Sequence, residues 1–111
     1  MKLLTTGELA SLFSISKYTI RHYIDIELLI PKHRKENGYY LFDEENVYKL
    51  YQILVLKKIG YSLGTISTIL TQNEILNYFT DAEQRLQNKI DELSAVKKRY
   101  SQLYKHKIFI N

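Results

Sequence analysis

The sequence predicts a mostly α-helical protein in which short helices and one small β-hairpin are followed by a single long helix. Three observations carry this expectation. One proline (Pro31) and four glycines (Gly7, Gly38, Gly60, Gly64) punctuate 111 residues, which implies mostly helix with few turns. Asn37-Gly38 is the best short-range hairpin signal, since both residues tolerate positive φ. From Glu74 to Tyr104 there is neither Gly nor Pro, and Phe79, Leu86, Leu93 and Tyr100 recur every seven residues.

Composition bounds the function. Hydrophobic residues are 45% and charged residues 25%, which argues against a disordered, collagen-like or membrane-spanning chain. No run of 18 apolar residues exists, and the first ten residues hold one Lys and no apolar signal core. The expected compartment is therefore the cytoplasm. Without cysteine, disulfides, thiolate metal sites and cysteine nucleophiles are impossible. The net charge of +4 permits an anionic partner, but only the placement of the charges can argue for one.

The elements follow in order. Thr5-Thr6-Gly7-Glu8 reads as a capping box: the Thr5 hydroxyl accepts from the Glu8 amide and the Glu8 carboxylate returns to the Thr5 amide. The first helix then turns Leu9, Leu12 and Phe13 inward. After a break at Ser14, Ser16 caps a second helix to about residue 26, with Ile20, Tyr23 and Ile24 on its apolar side. Pro31 stops helix, and a two-stranded ribbon centres on Asn37-Gly38. Asp43 offers an oxygen to the next helix start, where Glu44 and Glu45 suit the positive end of the dipole. That helix runs to about Lys58, with Val47, Leu50, Ile53, Leu54 and Val55 on its buried side, and stops at Gly60. Ser62 caps a fourth helix carrying Leu63, Ile66, Ile69 and Leu70, and the globular part, residues 1–72, closes near Gln72.

Residues 73–111 form a long helix and a short tail. Leu76, Phe79, Ala82, Leu86, Ile90, Leu93, Val96, Tyr100 and Leu103 give one continuous apolar seam on a helix of ~45 Å at 1.5 Å per residue. The seam needs a partner. Residues 74–92 carry five acids against Arg85 and Lys89, whereas residues 97–107 carry Lys97, Lys98, Arg99, Lys105 and Lys107 and no acid. Antiparallel pairing sets acidic half against basic half, so an antiparallel coiled-coil homodimer is expected, with its register open because Glu83 and Lys97 interrupt the seam.

Two short helices followed by a hairpin make a helix-turn-helix with a wing. Lys17, Tyr18, Thr19, Arg21 and His22 crowd the start and outer side of the second helix, where a major-groove reader needs donors and aromatic surface. Lys32, His33, Arg34 and Lys35 form a second cationic group at the base of the wing, and Asn37 and Gly38 its tip. Tyr61 and Ser62 open the fourth helix beside Lys57 and Lys58, where free amides and the dipole favour a phosphate. Three separated phosphate clamps are more informative than net charge. Chemistry of other kinds finds no support: His22 and His33 lack a partner at metal-ligand spacing, and Ser14 and Ser16 lack base and acid partners. No enzyme, metal or cofactor is expected. Tyr23 reads as core on spacing alone.

Taken together, Thr6-Gly7-Glu8-Leu9-Ala10, Ile15-Ser16 with Thr19-Ile20-Arg21-His22-Tyr23, Leu28-Leu29 with Pro31, Arg34 with Asn37-Gly38-Tyr39, and Gly60-Tyr61-Ser62-Leu63 resemble the DNA-binding domain of the MerR (mercury-resistance-like) transcription regulators. The resemblance spans about residues 4–70. It implies that Arg21 and Tyr23, with Arg34, Gly38 and Tyr39 of the wing, support DNA contact, and Tyr40 follows them where an arginine is common. It also implies a homodimer on a pseudo-palindromic promoter site, bending and untwisting the DNA so that RNA polymerase engages both promoter elements, the polymerase being reached through the DNA. Glu27 stands where the family commonly has glycine, so a different turn is expected there, since a side chain costs free energy at positive φ. The effector is open, as is its existence. Two expectations stand: a regulator that works without a large ligand domain, or the DNA-binding portion of a longer regulator, as the apolar, strand-like residues 107–111 suggest. Two alternatives compete: an excisionase-like architectural DNA-binding protein, and a coiled-coil scaffold without DNA specificity.

Overall fold

The computed structural model describes residues 2–106. Residues 107–111, with the strand-like ending and the Lys107 charge read above, lie outside the described residues. The chain forms two compact units, one ending at Lys58 and one beginning at Ile59.

In the first unit β1 (Leu4–Thr5) runs directly into α1 (Thr6–Phe13), followed by α2 (Lys17–Asp25), β2 (His33–Arg34), β3 (Tyr40–Phe42) and α3 (Glu44–Ile59). The hairpin expected around Asn37-Gly38 is β2–β3, with His33 opposite Leu41 and Arg34 opposite Tyr40. Gly38 takes φ +83°, and the turn is closed by the Lys35 amide donating to the Tyr39 carbonyl at 2.8 Å. The two-stranded expectation is corrected by a third strand. Leu4 lies opposite Phe42 and Thr5 opposite Leu41, so the antiparallel order is β1-β3-β2. A two-residue strand carries no alternating pattern, which is why only the pairing reveals it.

Capping sets the helix starts. The Glu8 amide donates to Thr5 Oγ1 at 3.1 Å and the Thr5 amide donates to Glu8 Oε1 at 3.0 Å, the reciprocal box read from sequence. The Thr5 amide, reinforced by Lys2, holds the Glu8 carboxyl below its ordinary value. Ser16 accepts from the Thr19 amide at the start of α2. The ends of α1, α2 and the helix that closes near Gln72 share one device: Ser14, Glu27 and Asn73 take φ of 54°, 60° and 55°. After each, an amide reaches back five residues, from Ile15 to Ala10, Leu28 to Tyr23 and Glu74 to Ile69. The expectation of a different turn at Glu27 is thus corrected, because these backbone bonds hold a non-glycine residue in the left-handed conformation.

Leu9, Ile20, Leu29, Phe42, Leu50 and Ile53 are completely buried. Two inward assignments change. Leu12 is 58% exposed while Ala10 is buried: α1 packs against α2 and β3, and its buried residues are Leu9 and the small Ala10. On α3, Val55 is exposed, whereas the polar Asn46 in the first turn is buried.

The second unit holds α4 (Leu63–Thr71) and α5 (Ile75–Lys105). Gly60 takes φ +113° before it, as expected of a glycine stop, and Ser62 accepts from the Thr65 amide. Ile66 and Ile69 are the buried pair of α4. None of the 31 residues of α5 is buried, and Leu76, Phe79, Leu86, Ile90, Leu93, Val96 and Tyr100 all stand open to solvent.

Candidate nucleic-acid interface

The first unit carries a groove of about 380 Å³ lined by Thr5, Thr6 and Gly7 at the start of α1, Lys17 and Arg21 on α2, and Asn37, Gly38, Tyr39 and Tyr40 of the wing. Its lining holds two cations and no carboxylate. Lys17 and Arg21 are four residues apart and so stand one above the other on the exposed side of α2, while Ile20, Tyr23 and Ile24 anchor the opposite side. Gly7 makes room for this arrangement. A β-carbon there would stand 3.3 Å from Lys17 Cε, so the bare backbone lets the lysine stem lie across the start of α1.

The wing adds a third cation, outside the lining. The Arg34 guanidinium lies 5.6 Å from the centre of the Tyr40 ring, which stiffens a long side chain on an otherwise exposed strand. At the base of the wing Asn46 closes a four-way hydrogen-bond set. Its Oδ1 accepts from the Lys32 amide at 3.0 Å and the Asp43 amide at 3.1 Å, its Nδ2 donates to the Ile30 carbonyl at 2.7 Å, and its own amide donates to Asp43 Oδ1 at 2.9 Å. The chain entering β2 and the chain leaving β3 are thereby pinned to the first turn of α3.

Of the residues expected from sequence, Lys17, Arg21, Asn37, Gly38, Tyr39 and Tyr40 meet in the groove. Tyr18, His22, His33, Arg34, Lys35 and Lys58 are exposed outside its lining, with Tyr18 at 79%, and Thr19 is half-buried. Tyr23 is buried, and that desolvation raises its pKa, so it serves the surface as packing beneath it. Tyr61 is the larger departure. It is 3% exposed, and its hydroxyl donates to Asp81 Oδ2, so it offers no free group to a phosphate. Arg85 stacks over its ring at 4.2 Å and bonds Asp81 Oδ2 at 2.9 Å, and Tyr78 meets the ring edge-on. Burial first, then the Asp81 bond, pushes the Tyr61 phenol up to about 12. The hydroxyl of Ser62 is committed to Thr65 through its amide and side chain.

Sequence reasoning missed Thr5, Thr6 and Gly7 as lining residues and Asn46 as the wing's anchor. A signal existed for the latter: Asp43 and Asn46 stand at capping-box spacing. No signal marked Asp81 and Arg85, which the helical spacing of four presents equally well as a surface pair.

Two short helices, a wing whose tip shares one acid-free cationic groove with the second of them, and a long helix with an open apolar seam define the winged helix-turn-helix class of DNA-binding transcription regulators. Residues 4–73 match the MerR HTH family of regulatory proteins, and the chain belongs to that family. The multidrug-efflux transporter 2 regulator of Bacillus subtilis (strain 168) is 32% identical over 95 residues, covering 83% of this chain and 35% of the relative. The crystal structure of HiNmlR, a MerR family regulator lacking the sensor domain, bound to promoter DNA, aligns with a TM-score of 0.72 and 31% identity, covering 96% of this chain and 88% of that one. A MerR family regulator from Bacillus thuringiensis aligns with a TM-score of 0.75 and 25% identity over 94% of this chain and 99% of that one. The chain spans between a quarter and about half of the length of the curated relatives it matches. No helix among the described residues is long and apolar enough to cross a membrane.

Proposed function

We propose that this chain grips a pseudo-palindromic promoter site as a homodimer and distorts it to control transcription. The observation that carries the reading is the groove in which Lys17 and Arg21 of α2 converge with the wing tip, without one acid in its lining. A duplex presents phosphates on both sides of the major groove. In the proposed complex, α2 enters that groove through Lys17, Tyr18, Thr19, Arg21 and His22, and the wing follows the neighbouring backbone through His33, Arg34, Lys35, Asn37, Gly38, Tyr39 and Tyr40. Lys58 and the amides that open α4 at Ser62 add outer phosphate contacts. The functional division follows the sequence reading: residues 1–72 hold the DNA, and residues 73–111 join the two copies through the α5 seam. RNA polymerase is affected through the promoter DNA, in the cytoplasm. The cost of bending and untwisting the site is offset by phosphate contacts from both copies.

The test is operator binding across a salt series. Arg21→Ala and Arg34→Ala should each weaken binding on the order of tenfold, and log affinity should fall linearly and steeply with log salt. Binding that ignores salt, or that survives both substitutions unchanged, overturns the reading.

A further inference from the structure

The apolar seam of α5 contains two charges. Steps of three and four residues run through Phe79, Glu83, Leu86, Ile90, Leu93, Lys97 and Tyr100, so Glu83 and Lys97 share the Ile90 edge of the seam, beside Ala82 and Val96. Both are exposed, and among the described residues the ion pair of α5 joins Arg85 to Asp81 and includes neither. Their placement is symmetric: each lies seven residues from Ile90, one before it and one after.

For the antiparallel pair already expected from the sequence, we propose the register whose twofold axis passes level with Ile90, so that Glu83 of each helix pairs with Lys97 of the other. The inference rests on the homodimer proposed above; the register and the ion pair that selects it are what it adds. A twofold axis perpendicular to two antiparallel helices places residues equally far before and after it at the same level, and Ile90 is the midpoint of the two charges. A slip of one heptad sets Glu83 against Ile90 or Tyr104 of the other copy, leaving both charges unpaired within an apolar seam, which is costly. Parallel alignment sets Glu against Glu and Lys against Lys. A polar residue in an otherwise apolar seam is a known way to fix register, and a charge whose wrong neighbours are apolar specifies against every slip.

The segments around the pair have the same sense of charge. The same axis lays residues 97–105, which hold Lys97, Lys98, Arg99 and Lys105 and no acid, beside residues 75–83, which hold Asp81 and Glu83 and no cation.

Two measurements on the full chain test this. The sequence has no cysteine, so Ser101→Cys accepts a single nitroxide label on an exposed position of α5. In the proposed register the two labelled positions of a dimer lie about 33 Å apart along the coil, at 1.5 Å per residue. A dimer whose separation is about 10 Å longer or shorter has slipped one heptad, and labels held only an interhelix spacing apart mean parallel helices; either overturns the register while leaving the dimer intact. Monomers by sedimentation overturn the dimer and the register with it. Charge reversal supplies the second measurement. Lys97→Glu should raise the dimer dissociation constant on the order of tenfold, and adding Glu83→Lys in the same chain should return it to near its original value. Failure of the double reversal to recover affinity overturns the pairing. Both positions are exposed in the single chain, so neither variant threatens its fold.

Discussion

Asn46 is the residue on which the wing depends most. It is 8% exposed and its side chain satisfies three backbone groups from two separate segments. Truncation leaves those groups unpaired. Asn46→Ala should therefore lower stability by roughly 2–3 kcal/mol, measured by urea unfolding. Asn46→Asp keeps the acceptor but faces a carboxylate toward the Ile30 carbonyl, so it should loosen the wing base, read as faster amide exchange at Lys32, with the capping of α3 retained. Glu27 shows the opposite economy. At φ +60° it costs what a glycine avoids, and the bonds from Leu28 and Leu29 to the Tyr23 carbonyl hold it there. Glu27→Gly should raise stability by about 1 kcal/mol, whereas Glu27→Val should lower it by more. An unchanged unfolding midpoint in both variants would remove the strain from the account.

At the scale of elements, ends were harder to read than starts. Thr5, Ser16, Asp43 and Ser62 announce helices because a side-chain oxygen three residues before an amide is a local property of sequence. Ser14 and Glu27 end them through backbone bonds that their residue types do not announce, whereas Asn73 is of a type that tolerates positive φ. The joint between α4 and α5 is likewise built from residues far apart in the chain, Tyr61 with Asp81 and Arg85. Its pH dependence has a definite sign. The Tyr61 hydrogen bond and Arg85 hold the Asp81 carboxyl below its usual value, so that contribution is present above the ordinary carboxylate pKa and is lost as pH falls through the lowered one. The Tyr61 phenol is raised from 10.0 to about 12, so its contribution is full below 10 and is lost as pH rises toward 12. Tyr61→Phe should flatten both limbs of the stability profile, and phenolate absorbance should lose its latest-titrating component.

For the whole molecule the decisive feature is a 31-residue helix none of whose own residues is buried within the chain. A contiguous exposed apolar stripe of this length marks an interaction surface. Leu93→Asp, at a position already 62% exposed in the single chain, should leave the fold intact and yield monomers by sedimentation, because the charge would be desolvated only on pairing. Operator binding should weaken with it, since each monomer then grips one half-site alone. Dimers that persist at micromolar concentration would place the interface elsewhere.

Local rules were enough for most of what this chain is. Capping oxygens, one Asn-Gly turn and a seven-residue apolar repeat fixed the number and order of the helices, the hairpin and the open seam, because each is set by residues within a few positions of one another. Tertiary structure alone decided the rest: the pairing of Leu4 and Thr5 with β3, the burial of Asn46 and Tyr61, the outward turn of Leu12, and the meeting of Gly7 with Lys17 at one groove. Those contacts join segments whose separation along the chain erases any periodic trace, and a tyrosine that caps a basic turn reads as a surface donor until packing gives its hydroxyl a carboxylate.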